Sequence, residues 1–481
     1  MSPIVAQCNF IYGVEDFRAV YDVAHLSLKA ASFHFFTSGE SLKTHTQVAP
    51  FGPEITGGID MRRLIPLTIL AALLSLAGSA AAQVTVLNHA TVIDGTGAAP
   101  QNDVAILMEN GHIRDMGPSS KIPPPAGATV LDLTGKFIVP GIINAHGHID
   151  AKREPQLRQY ALYGVTTTTS MSFDNDDIVE FKAEQKRGNL RGARILTVKY
   201  RFMSAPFKPG SEYKTPEEAR AKVDEIVGQG ADFIKVWIDS QNGKLVKLSP
   251  EFCAAVMDQA RKHGKITMAH VYEYNDAKMI VDRGVNILAH NVRDQEIDSD
   301  FIATLKRRNV SVISTLAREE GMFVYGEAPV WIEDSFFRKG LSPERFEILK
   351  TKKREEQAKD PELARNKRAF EIDKINLKKL SDAGVRIALG TDSGGAPDRF
   401  FIQGFFEHRQ MELMVQAGLT PIQVIQAFSK SASEALAIDK EFGTLAKGKA
   451  ADLLVLEKNP LDNITNMRAI QTIYLGGKKF E

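Results

Sequence analysis

The sequence predicts an α/β protein: a parallel (β/α)8 TIM barrel, with a small β-sandwich built from both ends of the mature chain. Three observations lead there. Eight strand-like runs alternate with helical intervals between Phe137 and Asp392, the arithmetic of a parallel barrel. Both flanks of that region read instead as short strands and turns. Residues able to bind metal or move protons fall at the ends of the strand-like runs, where a barrel of this kind carries its chemistry.

The chain of 481 residues is 43% hydrophobic and 25% charged, enough for one large domain and a smaller one. A formal net charge of +1 argues against a nucleic-acid or polyanion partner. The run from Lys350 to Arg368 alternates in sign and reads as a solvated helix face. Two cysteines, Cys8 and Cys253, are too few for a disulfide framework or a thiolate metal site.

Met61-Arg62-Arg63, an apolar run from Leu64 to Leu76 and a small-residue end at Ala77–Ala82 form a secretory signal peptide at 61–82. Its apolar core is short for a bilayer, so cleavage after Ala82 and no stable membrane span are expected. The mature chain is then periplasmic or secreted, and its single thiol, Cys253, suits an oxidising compartment. A signal is read at the front of a nascent chain. We therefore read residues 1–60 as a non-native upstream extension, with translation starting at Met61.

From Gln83 the elements follow in order. Val84–Leu87, Ala90–Ile93 and Val104–Met108 are strand-like, punctuated by Asp94-Gly95, Asn110-Gly111 and prolines 123–125. At the other end, a turn at Gly443–Gly448 leads into strands at Ala451–Leu456 and Ile470–Leu475. Residues 83–140 and 440–481 are thus expected to form the β-sandwich domain, and 141–439 the barrel. Barrel strands are expected in the run Phe137–His148 and at Val165–Met171, Arg194–Val198, Phe233–Trp237, Ile266–His270, Asn286–His290, Val310–Thr315 and Arg386–Asp392. Thr215-Pro216-Glu217-Glu218 opens a helix with a cap, a first-turn proline and a glutamate at the third position. Ser249-Pro250 and Thr420-Pro421 open others. The interval Arg318–Lys379 is too long for a simple crossover and is expected to add helices over the barrel mouth.

The candidate site follows from the strand ends. Side chains alternate along a strand, so His146 and His148 face the same way and can share an ion. A His-x-His pair alone says little, but the fifth strand ends in His270, the sixth in His290 and the eighth in Asp392. Eight histidines follow Gln83, and four of them stand at these positions. Lys235 shares a face with Phe233 and Trp237, pointing inward while Ile234 and Val236 pack outward. A buried amine beside cations loses its proton readily. It can then add carbon dioxide to form a carbamate with two oxygens able to bridge two metals. The competing reading of Lys235 is a side chain reaching solvent or pairing with Asp239.

These residues resemble the metal-dependent amidohydrolase superfamily over essentially all of 84–481. The opening Thr91-Val92-Ile93-Asp94-Gly95, the closing Gly443-Thr444-Leu445 and Ala451-Asp452-Leu453, the Phe233-Ile234-Lys235 strand, and His270 with Tyr272 after the fifth strand carry the resemblance. They are similar to the imidazolonepropionase-like and prolidase-like branch, which includes bacterial dipeptidases and ochratoxinase-type amidases. The resemblance implies two divalent ions, with His146 and His148 on the buried one, His270 and His290 on the exposed one, and carboxylated Lys235 between them. Asp392 would bind the first ion and handle protons. It implies hydrolysis of a small amide or dipeptide by a water activated between the ions, Tyr272 donating to the oxyanion, and a frequent homo-oligomeric state. Imidazole and carboxylate ligands favour zinc. A substrate carboxylate would want a basic partner, for which Arg201, Arg293 and Arg318 are candidates.

Two other readings compete. His270-Val271-Tyr272-Glu273 also fits the His-x-x-Glu pattern of a mononuclear aminohydrolase, in which Glu273 shuttles protons and turnover releases ammonia; it leaves Lys235 idle. A non-catalytic metal-binding relative would be expected to have lost ligands, and here every expected ligand position is filled. For the N-terminus, mass spectrometry of the natively expressed protein is expected to find no peptide from 1–60. Detecting one overturns the Met61 start.

Overall fold

In the computed structural model the described residues are 84–203, 215–395 and 400–480. The expected upstream extension, the signal peptide and Cys8 lie outside them. No helix among the described residues is long and apolar enough to cross a membrane.

The flanking strands are β1 (Thr85–Val92), β2 (Gln101–Glu109), β3 (His112–Pro118), β4 (Thr129–Asp132) and β5 (Phe137–Pro140). The central ones are β6 (Ile142–Asn144), β7 (Gly147–His148), β8 (Val165–Ser170), β9 (Arg194–Thr197), β10 (Arg201–Phe202), β11 (Phe233–Trp237), β12 (Ile266–His270), β13 (Ile287–Leu288), β14 (Ser311–Ser314), β15 (Ile387–Leu389) and β16 (Ser393–Gly394). The chain closes with β17 (Leu453–Leu456), β18 (Ile470–Leu475) and β19 (Lys478–Lys479).

The architecture is mixed α/β with parallel central sheets. β6, β8 and β9 form one parallel sheet, and β10 through β15 another in consecutive order. Backbone hydrogen bonds join the two sheets at both junctions, among them Asp232 N–H to the Thr197 carbonyl (2.8 Å) and Ala145 N–H to the Leu389 carbonyl (2.9 Å). Alternation along the strands sorts their side chains into two apolar clusters. Phe233, Met268, Ile287 and Ile313 pack with Ala432, Ala435 and Leu436, residues in or just after the helix Lys430–Ala435. Ile234, Val236, Ala269, Leu288 and Val312 pack among residues of the surrounding helices. Lys235 therefore shares the Phe233 side.

Strands from both ends of the chain do meet, as expected, but in one eight-stranded sheet instead of two stacked ones. β17 runs antiparallel to β5, which pairs with the second half of β1, while β4 pairs with its first half. A bulge in β1, with His89 at φ 63°, lies between these two halves. Bulges bend and twist a strand, so one strand serves two partners along the same edge and the sheet curls over its own core.

The helix starts come from local chemistry. Thr215 caps Pro216–Gly228 by accepting from the Glu218 amide (3.2 Å), and the Glu218 carboxylate accepts from the Thr215 amide (3.1 Å). Ser249 and Thr420 cap their helices likewise, each cap contributing about 1 kcal/mol. The long interval holds several short helices followed by Leu363–Asp382.

The run read as one first strand is in fact divided: Phe137–Pro140 belongs to the end sheet and Ile142–Asn144 to the parallel one. Gly141 makes the crossing. A methyl group there would lie 2.3 Å from both Cγ2 and Oγ1 of buried Thr166. Gly141→Ala is accordingly expected to destabilise the protein by about 1–3 kcal/mol, seen as a lower urea midpoint at unchanged slope. An unaltered midpoint contradicts this packing.

Candidate metal centre

The expected ligands come together. His146, His290 and Asp392 are all buried and offer ligand atoms within 4.8 Å of one another, against about 3.3 Å between ligands of a tetrahedral ion with bonds of ~2.0–2.1 Å. His148 Nε2 lies 2.7 Å from Asp392 Oδ1, and His146 Nε2 lies 3.9 Å from the same oxygen. Lys235, 1% exposed, brings its Nζ to 2.9 Å from His146 Nε2. The His290 ring centroid is 4.5 Å from that of His146 and 4.3 Å from that of His270. All six side chains predicted from strand ends thus share one buried place.

How they are held differs from the strand picture. β13 and β15 stop short of His290 and Asp392. Asp392 sits in the left-handed backbone region at φ 53°, where a residue with a Cβ is strained by ~1–2 kcal/mol. The His146 carbonyl accepts both the Thr391 amide (3.1 Å) and the Asp392 amide (2.7 Å), fixing the turn against the first strand. No single strand runs through both histidines: His148 ends β7, which pairs with β16, and His146 stands just before it.

The donor chemistry fits a cation. The Ala289 carbonyl can only accept, so His146 Nδ1 donates to it (2.8 Å) and Nε2 keeps a lone pair turned toward Lys235 and Asp392. His290 Nδ1 is bonded to Thr315 Oγ1 (2.8 Å), while its Nε2 is buried and has no hydrogen-bond partner among the described residues. Burial holds the His146 and His290 rings well below the ordinary imidazole range, and His270 down to about 3, so these rings are neutral at pH 7. Neutral imidazole is the metal-binding form.

Charged and aromatic groups surround the cluster. Asp239 Oδ2 is 3.3 Å from His270 Nε2. Burial pushes the Asp239 carboxyl up, but the His270 contact outweighs it and holds the group below the usual carboxylate range. Trp237 stacks on His270 (3.8 Å, 5°), with the Arg201 guanidinium 4.6 Å over the indole. Arg318 Nε stands 3.5 Å from Asp392 Oδ2, and Arg318 also pairs with Glu319 at 2.9 Å. Arg293, 1% exposed, is committed to Glu319 (3.0 Å) and to two carbonyls, so burial takes it out of the list of substrate partners.

The guanidiniums of Arg293 and Arg365 each lie 4.7 Å from the Tyr272 ring centre. Arg365 falls in the run read as a solvated face; its charge has a use there that alternating signs do not reveal. Burial raises the Tyr272 phenol, with the two arginines opposing, so it stays a proton donor at pH 7. Glu273, the proton shuttle of the mononuclear reading, has its carboxylate engaged by Ser240 (3.3 Å) and Lys247 (2.7 Å). A cavity of ≈1550 Å³ lies elsewhere, lined by residues such as Arg194, Phe442 and Phe480, and none of the six ligand candidates lines it.

Comparison with known proteins agrees with this geometry. The sequence profile of the amidohydrolase family matches residues 137–479. Ochratoxinase of Aspergillus niger is 25% identical over 277 residues, covering 55% of this chain and 49% of that protein. The chain thus spans about half the length of that curated relative. The solved A. niger ochratoxinase superposes with a TM-score of 0.64 at 18% identity, over 83% of this chain and 96% of that one. A Xaa-Pro dipeptidase with methionine bound in its active site gives 0.65 at 18% identity, over 83% and 100%.

Burial lowers His270 to about 3, and likewise His408, which sits outside the cluster on the Tyr163 carbonyl. Against an unfolded value of 6.5, the unfolded chain binds more protons between these limits. The stability of the metal-free protein is therefore fully present above pH ~6.5 and falls as pH drops toward ~3. Urea midpoints of chelated protein measured across that window check this; a flat profile contradicts it.

Proposed function

Because the chain belongs to the amidohydrolase family, we propose that it is a metal-dependent hydrolase cleaving an amide C–N bond in a dipeptide, an N-acyl amino acid or a related small amide. The observation that carries this is the convergence of His146, His290 and Asp392, with the buried His290 Nε2 lacking any partner among the described residues. We read two divalent ions, zinc by ligand chemistry, with His146, His148 and Asp392 on one side, His270 and His290 on the other. Lys235, as a carbamate, would offer further oxygen ligands to the ions. Bound ions supply an electrophile for the amide carbonyl and lower the pKa of water to ~7.

The chain's own residues do the rest. Asp392 takes the proton from the attacking water and passes it to the departing amine. The His148 and Arg318 contacts on its two oxygens hold the carboxylate in place. Tyr272, with two guanidiniums over its ring, offers its O–H to the developing oxyanion. Arg201 and Arg318 are left as partners for a substrate carboxylate. We read the parallel strands as a closed (β/α)8 barrel beside a β domain of 83–140 and 440–481, supported by the Ala145–Leu389 and Asp232–Thr197 bonds. The signal pattern at 61–82 supports a periplasmic or secreted mature chain.

Protein starting at Gln83 and reconstituted with zinc is expected to hydrolyse members of a dipeptide and N-acyl amino acid library. Exhaustive chelation abolishes the activity and added ion restores it. Asp392→Asn is expected to keep its metal but lose turnover by roughly 10² or more. Undiminished hydrolysis after chelation ends the reading, and a near-normal rate in metal-loaded Asp392→Asn removes the proton-transfer role.

A further inference from the structure

Behind the cluster lies a carboxylate that touches none of the six ligand candidates. Glu407, 0% exposed, stands in the first turn of the helix Phe405–Gln416. Its Oε1 accepts from Asn144 Nδ2 (2.6 Å), Thr391 Oγ1 (2.6 Å) and Ser393 Oγ (2.8 Å), and its Oε2 from the Gly404 amide (2.6 Å). The three partners of Oε1 lead to the metal site, while the Gly404 amide caps Glu407's own helix. Asn144 Oδ1 accepts the His146 amide (3.0 Å). Thr391 and Ser393 flank Asp392, whose left-handed backbone needs something to hold it.

We infer that Glu407 is a positioning residue for the metal centre, its carboxylate clamping the segment that leads to His146 against the turn that carries Asp392. The inference rests on the metal reading above. An ionised carboxylate accepts only, and one oxygen here meets three donors. A glutamine of the same shape must turn its N–H₂ toward those three donors or toward the Gly404 amide, so either orientation opposes donor to donor. Glu412 provides the contrast: it is on the same helix and 9% exposed, but it pairs with Arg409 (2.9 Å) and Arg468 instead of the site's segments.

The test compares wild type, Glu407→Gln, Thr391→Val and Glu412→Gln by zinc affinity, from chelator competition, by the visible spectrum of the cobalt-loaded protein, and by melting temperature. Glu407→Gln and Thr391→Val are expected to bind zinc ~10–100-fold more weakly and to shift the cobalt bands. Glu412→Gln should keep both, whatever it does to the melting temperature. Wild-type affinity and spectrum in Glu407→Gln, or in Thr391→Val should the first variant not fold, overturn the inference. An equal change in Glu412→Gln also overturns it, because helix packing alone would then suffice. Wild-type protein that binds neither ion removes the hydrolase reading and this inference together; intact wild-type binding with an indifferent Glu407→Gln removes only the inference.

Discussion

The His146 carbonyl accepts two amides from the far end of the central region, those of Thr391 and Asp392. Much of the site hangs on that double bond. It joins the first and last parallel strands, turns the chain sharply enough to leave Asp392 in the left-handed region, and aims the Asp392 carboxylate at His148. A regular strand continued through Asp392 would alternate side chains past the cluster without bending one back into it. The strain of the turn is local, and hydrogen bonds on both sides of it offset the cost.

Polar groups this buried carry a large desolvation penalty unless paired. The protein meets it in two ways. His146, His270 and His290 are kept neutral by burial, which suits them as ligands. The charged groups are chained: Asp392 to Arg318, Arg318 to Glu319, Glu319 to Arg293, and Arg293 against the Tyr272 ring. Each link leaves the next charge compensated. Breaking one would strand a buried ion, which is why such a chain specifies position more than it adds stability.

Arg365, near the start of the long helix Leu363–Asp382, also lies over the Tyr272 ring. The insertion between β14 and β15 is thus joined to the site by a side chain as well as by its place in the chain. Trp237 on His270, with Arg201 above it, makes a second aromatic wall.

The ligand set was legible from sequence because strand alternation is a local rule: residues two apart share a face, so His146 with His148, and Lys235 with Phe233, could be placed without knowing the neighbours. Helix starts at Thr215, Ser249 and Thr420 were legible for the same reason, each cap being settled within four residues. Only the tertiary structure decided that Glu407 would meet Asn144 across 263 residues, that Asp239 would turn to His270, or that Arg365 would lie on Tyr272. Those contacts come from segments that approach only once the sheets and the helices between them have packed, and no spacing within one element encodes them. The left-handed turn at Asp392 belongs with them, since its stability comes from bonds to strand one and not from the preferences of Thr391-Asp392-Ser393 itself.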